Sequence, residues 1–348
     1  MKHLIYFFIV LLSFSCQNTT EMNLMEKQSD TSDDSSRYIL VVASCNDQNR
    51  KQPLWKSIIE NHPSLFIWGG DNIYADTDDM SKMKNDYDKL WANPDYASFA
   101  EKTTIIGTWD DHDYGINDGG VEWEKKEEAK DLFLDFLKVP EDDIRRNREG
   151  VYTSETYKNE KGSIKVILLD TRSFRDSLKP SSNPDWIYDV WDAAHGGTIL
   201  GTEQWRWLEE ELKDDTATFT VIVTSIQFLS YQHGWEKWAN FPNDVVKMKQ
   251  LLKDAKARNI IIISGDRHMA EISLAEIDGM DYPLIDFSTS GLTHTYIDSS
   301  TEANAYRISN VIKRLNFELL RFDFEHMEVI FEIGGENNFL YEQFVQQY

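Results

Sequence analysis

The sequence predicts an α/β fold, because short apolar runs rich in β-branched residues alternate with longer segments of helical periodicity. Near the C-terminal end, LLRFDF and MEVIFEI alternate apolar and polar residues, which is typical of a hairpin with one solvent-facing side. No internal repeat and no Pro/Gly/Ser-rich break follows residue 38. We therefore expect residues 37–348 to form a single domain.

Six apolar runs are predicted to be strands, each of a length that suits a buried strand better than a helix. In chain order they are RYILVVASC (37–45), SLFIWGGD (64–71), TTIIGTWDDHD (103–113), GSIKVILLDTR (162–172), TFTVIVTSIQ (218–227) and NIIIISGD (259–266). Four segments between them place apolar residues three and four apart, which predicts helices over 52–62, 123–139, 202–215 and 243–259. Thr202 is the expected N-cap of the third helix.

The first 15 residues have the features of a secretory signal peptide. Lys2 precedes an apolar stretch over 4–14, and Cys16 stands where a lipobox places the cysteine that receives lipid. An ordinary cleaved signal is the alternative. Residues 17–36 are polar and predict a flexible tether. We therefore expect an exported, membrane-anchored lipoprotein that faces the periplasm or cell exterior and contacts the membrane by its lipid anchor only.

The composition limits the partners. The formal net charge is −24, from 36 basic and 60 acidic residues, which disfavours a nucleic-acid partner. An anionic substrate would need bound cations to reverse the local field. The chain has two cysteines. If Cys16 carries lipid, Cys45 has no disulfide partner, so it is a buried inert residue, a metal ligand or a nucleophile.

Polar clusters follow the predicted strands at their carboxyl ends, and in α/β folds this is the edge of the sheet where sites assemble. The clusters contain Cys45, Asp71, Asp110–His112, Arg172, Gln227 and Asp266–His268.

Three of these segments have spacings that suit metal ligands. In GGDNIYAD, Asp71 and Tyr74 lie about one turn apart, although Asp71 could instead cap a helix with Tyr74 packed behind it. In GTWDDHDYG, three acids surround His112, an arrangement that a cation would stabilise and that could also be a solvated loop. In SGDRHM, Asp266 and His268 lie two residues apart on an extended segment and so point the same way, unless the segment is a simple turn.

Together these groups favour a metal ligand as the role of Cys45. Thiolate and phenolate ligands favour a redox-type transition metal, and carboxylates suit hard cations such as calcium. A nucleophilic role for Cys45 is weaker, since no histidine stands near it in the sequence to activate it.

The segments GGDNIYAD, GTWDDHD and SGDRH resemble the motifs of calcineurin-like metallophosphoesterases, and specifically of their alkaline phosphatase D (PhoD-like) branch, which is related to the purple acid phosphatases. The resemblance covers roughly residues 37–335. It implies two packed β-sheets flanked by helices, and it implies a metal-dependent phosphoric ester hydrolase of the alkaline phosphatase or phosphodiesterase type.

Transferred residue by residue, the resemblance implies Fe3+ held by Cys45, Asp71, Tyr74 and His268, with Asp71 bridging to a second metal whose further ligands are Asp111 and Asp266. A carboxylate replaces an imidazole in the second site, which favours Ca2+ there. The family's histidine after a middle strand is missing, and TSIQ offers Ser225 or Gln227 in its place.

The implied mechanism is attack on a small phosphate ester by a metal-bound hydroxide, with His112 protonating the leaving oxygen. Arg172 and Arg267 are candidates to bind phosphate oxygens, and His233 is a candidate pocket residue. Trp235 and Trp238 either line the pocket or pack in the core. We expect a monomer. A catalytically silent lipoprotein on the same fold and a phospholipid-directed phosphodiesterase are the alternatives.

Overall fold

The structure is a computed structural model and describes residues 37–213, 216–297 and 302–348. Its strands are β1 (Tyr38–Ala43), β2 (Leu65–Gly69), β3 (Thr104–Thr108), β4 (Thr153–Lys158), β5 (Ser163–Leu168), β6 (Lys179–Pro180), β7 (Tyr188–Asp189), β8 (Phe219–Val223), β9 (Ile260–Ser264), β10 (Glu271–Ala275), β11 (Leu284–Ser288), β12 (Phe317–Asp323), β13 (Glu328–Gly334) and β14 (Leu340–Gln347). Its helices are α1 (Trp55–Glu60), α2 (Met80–Trp91), α3 (Pro94–Ala100), α4 (Asp111–Tyr114), α5 (Lys126–Phe136), α6 (Gly201–Lys213) and α7 (Pro242–Asp254). The predicted signal peptide, Cys16 and the tether lie outside the described residues.

Two six-stranded mixed sheets form the centre of the fold. The first has the order β14-β13-β12-β1-β2-β3 and the second the order β10-β11-β9-β8-β5-β4, while β6 and β7 form a separate short pair. In the first sheet β1, β2 and β3 run parallel, and in the second β5, β8, β9 and β11 run parallel. The carboxyl ends of the parallel strands within each sheet therefore lie at one edge of that sheet.

The sheets pack face to face because alternate residues of each strand point to opposite sides. In β1, Leu40 and Val42 contact apolar side chains of the second sheet, whereas Val41 and Ala43 join the core under the helices. In β8, Val221 and Val223 lie between the sheets, and Ile222 faces the other way. Both faces of these strands are thus buried, which explains their almost continuous apolar sequences.

Helices cover the two outer faces with their apolar stripes. Phe133 and Leu134 of α5 pack with residues of the first sheet, and Trp205 and Leu208 of α6 pack with residues of the second. The helix α3 begins where the Asn93 side chain accepts hydrogen bonds from the backbone of Asp95 and Tyr96. The arrangement confirms the predicted α/β fold of two packed sheets flanked by helices.

The predicted elements differ from the structure mainly at their ends. Helix α6 begins at Gly201, so Thr202 lies inside the helix and its assignment as N-cap was wrong. The elements that were not predicted from the sequence are the helices α2, α3 and α4 and the strands β4, β6, β7, β10, β11 and β14. Among the described residues, no helix has the length and apolar character needed to cross a membrane.

Candidate metal centre and pocket

Cys45 lies just beyond β1 and is completely buried. Its Sγ is 3.5 Å from Asp71 Oδ2, and its backbone N–H donates to the carbonyl of Gly70, which follows β2. The hydroxyl of Tyr74 lies 3.1 Å from the same Asp71 oxygen and 3.3 Å from Nε2 of His268. The structure therefore brings together the thiol, the phenol, the imidazole and the shared carboxylate, and ligand atoms of Cys45, Asp71 and His268 lie within 4.8 Å of one another.

A carboxylate-rich group adjoins the first through Asp71. Ligand atoms of Asp71, Asp111 and His112 lie within 4.8 Å of one another, and the same holds for Asp110, Asp111 and Asp266. The side chain of Asp111 is fixed by the backbone, since Oδ1 accepts from the N–H of His112 at 2.9 Å and Oδ2 from that of Asp118 at 2.7 Å. The oxygen donors here suit a hard cation.

Asp110 belongs to this carboxylate-rich group, although it was not predicted as a ligand from the sequence. Its Oδ1 accepts from Ser225 Oγ at 2.6 Å and from Arg172 Nε at 2.5 Å. Its Oδ2 is buried and has no hydrogen-bond partner among the described residues. Ser225 thus contacts the acid that is grouped with Asp111 and Asp266. Gln227 lies elsewhere, with its amide donating to Glu271 and Ser288, so of these two residues only Ser225 contacts the carboxylate-rich group.

Several residues of the cluster have left-handed backbone angles. The φ values are +58° at Cys45, +52° at Asp71, +70° at Asp266 and +51° at His268. Each such residue costs on the order of 1–3 kcal/mol unless its surroundings stabilise it, and such residues concentrate at functional sites. Gly70 allows the close approach of the segments that follow β2 and β3, because a Cβ there would lie 2.7 Å from Cβ of Asp110.

The electrostatics of the cluster fit bound cations. Burial raises the pKa of Asp71 and of Asp266 well above the ordinary range, and it raises the pKa of Asp110 to about 7. Burial and the neighbouring Asp71 also raise the pKa of the Cys45 thiol. Buried acids in this number are unfavourable as anions until positive charge offsets them. The donor set and the unpartnered Asp110 oxygen therefore suit a pair of metal ions.

His112 lies beside these acids and is anchored by Asp76, which was not predicted as a site residue from the sequence. Its Nδ1 is 2.8 Å from both carboxylate oxygens of Asp76, and its ring centroid lies 4.1 Å from that of Tyr74. Burial alone would lower the pKa of His112, but the charges of Asp71, Asp111 and Asp76 raise it to about 11. The pair leaves Nε2 as the ring nitrogen available to a ligand. Asp76 closes the GGDNIYAD segment, so its position in that motif was the signal that could have identified it.

The family model described as PhoD-like phosphatase matches residues 40–327. The chain belongs to the PhoD-like phosphatase family. A relative is alkaline phosphatase D of Bacillus subtilis (strain 168), which is 26% identical over 121 residues, or 32% of this chain and 20% of that protein. The match thus spans about a fifth of the length of this curated relative.

Two solved structures share the fold of this PhoD-like family member. A structure described as PhoD superposes with a TM-score of 0.69 at 15% identity, covering 90% of this chain and 68% of the other. A dimetal phosphatase from Danio rerio superposes with a TM-score of 0.54 at 10% identity, covering 89% and 99% of the two chains. At these identities the likeness shows the fold of two packed sheets.

Arg172 occupies a different position from the one expected for a phosphate-binding residue. It is completely buried, and its guanidinium pairs with Asp110 and, through Nη1 at 2.6 Å, with Oε2 of Glu236. The other oxygen of Glu236 is 2.8 Å from Nε of Arg175, which is also buried. We call Arg172, Glu236, Arg175 and Asp110 the buried arginine network. This geometry favours a role in which Arg172 positions Asp110. It does not favour direct contact between Arg172 and the phosphate.

A pocket of about 650 Å³ opens beside the carboxylates and is lined by Asp111, His112, Asp266 and His268 among others. Arg267 also lines it, and its guanidinium pairs with Glu302 and lies 4.6 Å from the ring of Trp235. Trp238, by contrast, is buried in the core. His233 is buried two residues before Trp235. Its Nδ1 accepts a hydrogen bond from the backbone N–H of Trp235 at 3.3 Å. His233 therefore supports the loop that carries Trp235 and does not line the pocket.

Proposed function

We propose that this PhoD-like protein is an exported, metal-dependent phosphoesterase that hydrolyses small phosphate esters. The observation that carries the proposal is the sharing of Asp71 and Asp111 between overlapping ligand groups, beside a pocket that Asp111 lines. A shared carboxylate can bridge two cations, and paired cations are suited to the displacement of an alcohol from phosphorus. The family supports phosphatase chemistry.

We further propose Fe3+ and Ca2+ as the two ions. Cys45, Tyr74 and His268 would hold the first with Asp71, because thiolate, phenolate and imidazole suit a transition metal. Asp110, Asp111 and Asp266 would hold the second, because calcium prefers oxygen ligands. When bound, the pair would neutralise phosphate oxygens and lower the pKa of a coordinated water.

His112 is proposed to protonate the leaving oxygen. Its Nδ1 is bound to the Asp76 carboxylate, so the proton that it can transfer is on Nε2. Asp76, which lies outside the proposed ligand set, favours the protonated ring. Asp76 also fixes the ring orientation, which makes it a positioning residue for the transfer.

The experiment is removal and return of metal on the purified protein. Chelation, verified by metal analysis, should abolish hydrolysis of a phosphate ester, and calcium added to the iron-loaded protein should restore it better than zinc. Tyr74→Phe should remove or shift a visible phenolate-to-iron absorption band, while Phe339→Tyr, a surface control, should leave it unchanged. Full activity of the verified metal-free protein would refute the metal-dependent function.

Export and anchoring are proposed from the N-terminal sequence and need a separate measurement. If Cys16 carries lipid, the protein should fractionate with membranes and lose that association in Cys16→Ala. Membrane association that survives this change would contradict the anchor.

A further inference from the structure

The mouth of the pocket carries large apolar side chains that are left in contact with solvent. Trp235 is 44% exposed and Tyr296 is 53% exposed, and both line the pocket together with Ile187. Exposed apolar groups that gather at one concave site mark a binding surface more often than isolated ones do. Trp238 follows Trp235 by only three residues and is fully buried. This short segment therefore places one tryptophan in the core and the other in the pocket.

Trp235 is held in place before any ligand arrives. The guanidinium of Arg267 lies 4.6 Å from its ring centroid and is itself fixed by Glu302. The backbone N–H of Trp235 donates to His233, and its carbonyl accepts from Nζ of Lys237 at 3.0 Å. A side chain that is already ordered loses little entropy when a partner stacks on it.

Tyr296 joins this surface to the metal-ligand cluster. Its ring centroid lies 4.4 Å from that of His268, and the pocket that it lines also contains Asp266. An ester whose phosphate lay against Asp266 and His268 would therefore place its alcohol portion in the part of the pocket lined by Tyr296 and Trp235.

The charges around the pocket disfavour a second anionic group on that alcohol portion. Asp118 lines the pocket beyond the proposed ligands, whereas the charge of Glu236, which also lines it, is offset by Arg172 and Arg175. Arg267 is the one lining arginine among the described residues, and its charge is already offset by Glu302 and by Asp266 at 3.7 Å. A neutral group suits this lining better than an anionic one.

We propose that Trp235 is a specificity-determining residue that stacks on a neutral, flat apolar group of the substrate, so that the enzyme favours arylalkyl phosphate esters over small polar ones. This inference rests on the proposed phosphoesterase function. The contact is to the alcohol portion and not to the phosphorus, so it acts on binding and leaves the metal cluster unchanged.

The test compares benzyl phosphate with ethyl phosphate, because their alcohols have similar acidity and differ mainly in the flat ring. Trp235→Ala should reduce the preference in kcat/KM for benzyl phosphate by about tenfold, mostly through KM, because aromatic contacts and lost apolar burial together are of that order. Metal content should stay unchanged, and Trp235→Phe should restore part of the preference. Phe339→Ala, which removes an exposed aromatic outside this pocket, should leave the preference unchanged.

Binding of the non-hydrolysed analogues benzylphosphonate and ethylphosphonate, measured by calorimetry, separates the two proposals. If neither ester is hydrolysed by metal-loaded protein but Trp235→Ala weakens only benzylphosphonate binding, the inference on Trp235 stands and the phosphoesterase function falls. If both esters are hydrolysed and Trp235→Ala changes neither the preference in kcat/KM nor the preference in phosphonate binding, the inference on Trp235 is overturned and the function stands.

Discussion

Glu236→Gln should destabilise the protein strongly, because Glu236 supplies one negative charge to two buried arginines. Its oxygens lie 2.6 Å from Nη1 of Arg172 and 2.8 Å from Nε of Arg175, and all three side chains are at most 1% exposed. Glutamine keeps the shape and a hydrogen-bond acceptor but removes the charge. Removing one partner of a buried ion pair costs about 3–5 kcal/mol, and the retained acceptor places the expected loss near the lower end, at about 3 kcal/mol.

The matched control is Glu209→Gln, which makes the same substitution in an exposed pair. Glu209 and Lys247 are 3.2 Å apart, with side chains 49% and 44% exposed. Solvent screening reduces such a pair to about 0–1 kcal/mol. Urea unfolding of both variants and the parent protein, at equal metal load, measures the difference. A loss for Glu236→Gln no larger than that of the control would refute the reasoning that the buried arginine network depends on this charge.

Two further predictions concern protonation. His112→Ala should reduce turnover of an alkyl phosphate about a hundredfold or more but affect a nitrophenyl ester far less, since a good leaving group needs little protonation; equal losses would indicate that His112 positions the substrate. Glu318 is completely buried and neither of its carboxylate oxygens has a hydrogen-bond partner among the described residues, so burial raises its pKa well above 4.5. The contribution of neutral Glu318 to the free energy of unfolding is therefore fully present below pH 4.5, and it is lost as the pH rises through the raised pKa. Glu318→Gln should therefore become more stable relative to the parent between pH 5 and pH 8, as measured by urea unfolding; a difference that is constant with pH would contradict this.

The sequence was sufficient to predict which residues meet at the edge of the sheets. Cys45, Asp71, Tyr74 and His268 lie in loops after β1, β2 and β9, and strand polarity alone places those loops at the carboxyl ends. The alternation of apolar runs and helices likewise predicted the α/β core, since burial on both faces of a strand leaves a clear sequence pattern.

What the sequence could not predict depends on contacts between distant loops. Whether Arg172 faces the pocket or the interior depends on Glu236, which lies 64 residues away on a loop with no regular pattern. Ser225 and Gln227 both follow β8, but Ser225 contacts Asp110 whereas Gln227 contacts Glu271. Which of the two lies near the carboxylates depends on the path of the chain after β8, and the sequence alone does not specify that path. Strand β10 contains Glu271 and Ser273, which interrupt the apolar pattern used to find strands.

The charges of the cluster bear on the choice of metals. The donors that can carry a negative charge in the proposed centre are the buried Cys45, Asp71, Asp110 and Asp111 and the partly buried Tyr74 and Asp266. Arg172 offsets one of these charges, because it pairs with Asp110. The charge of Arg175 is balanced by Glu236, and the charge of a protonated His112 is balanced by Asp76. Five negative charges then remain. A trivalent and a divalent ion together balance them, whereas two divalent ions leave one uncompensated charge in a buried site, where such a charge is costly. The charge balance thus favours a trivalent ion beside a divalent one in the proposed centre.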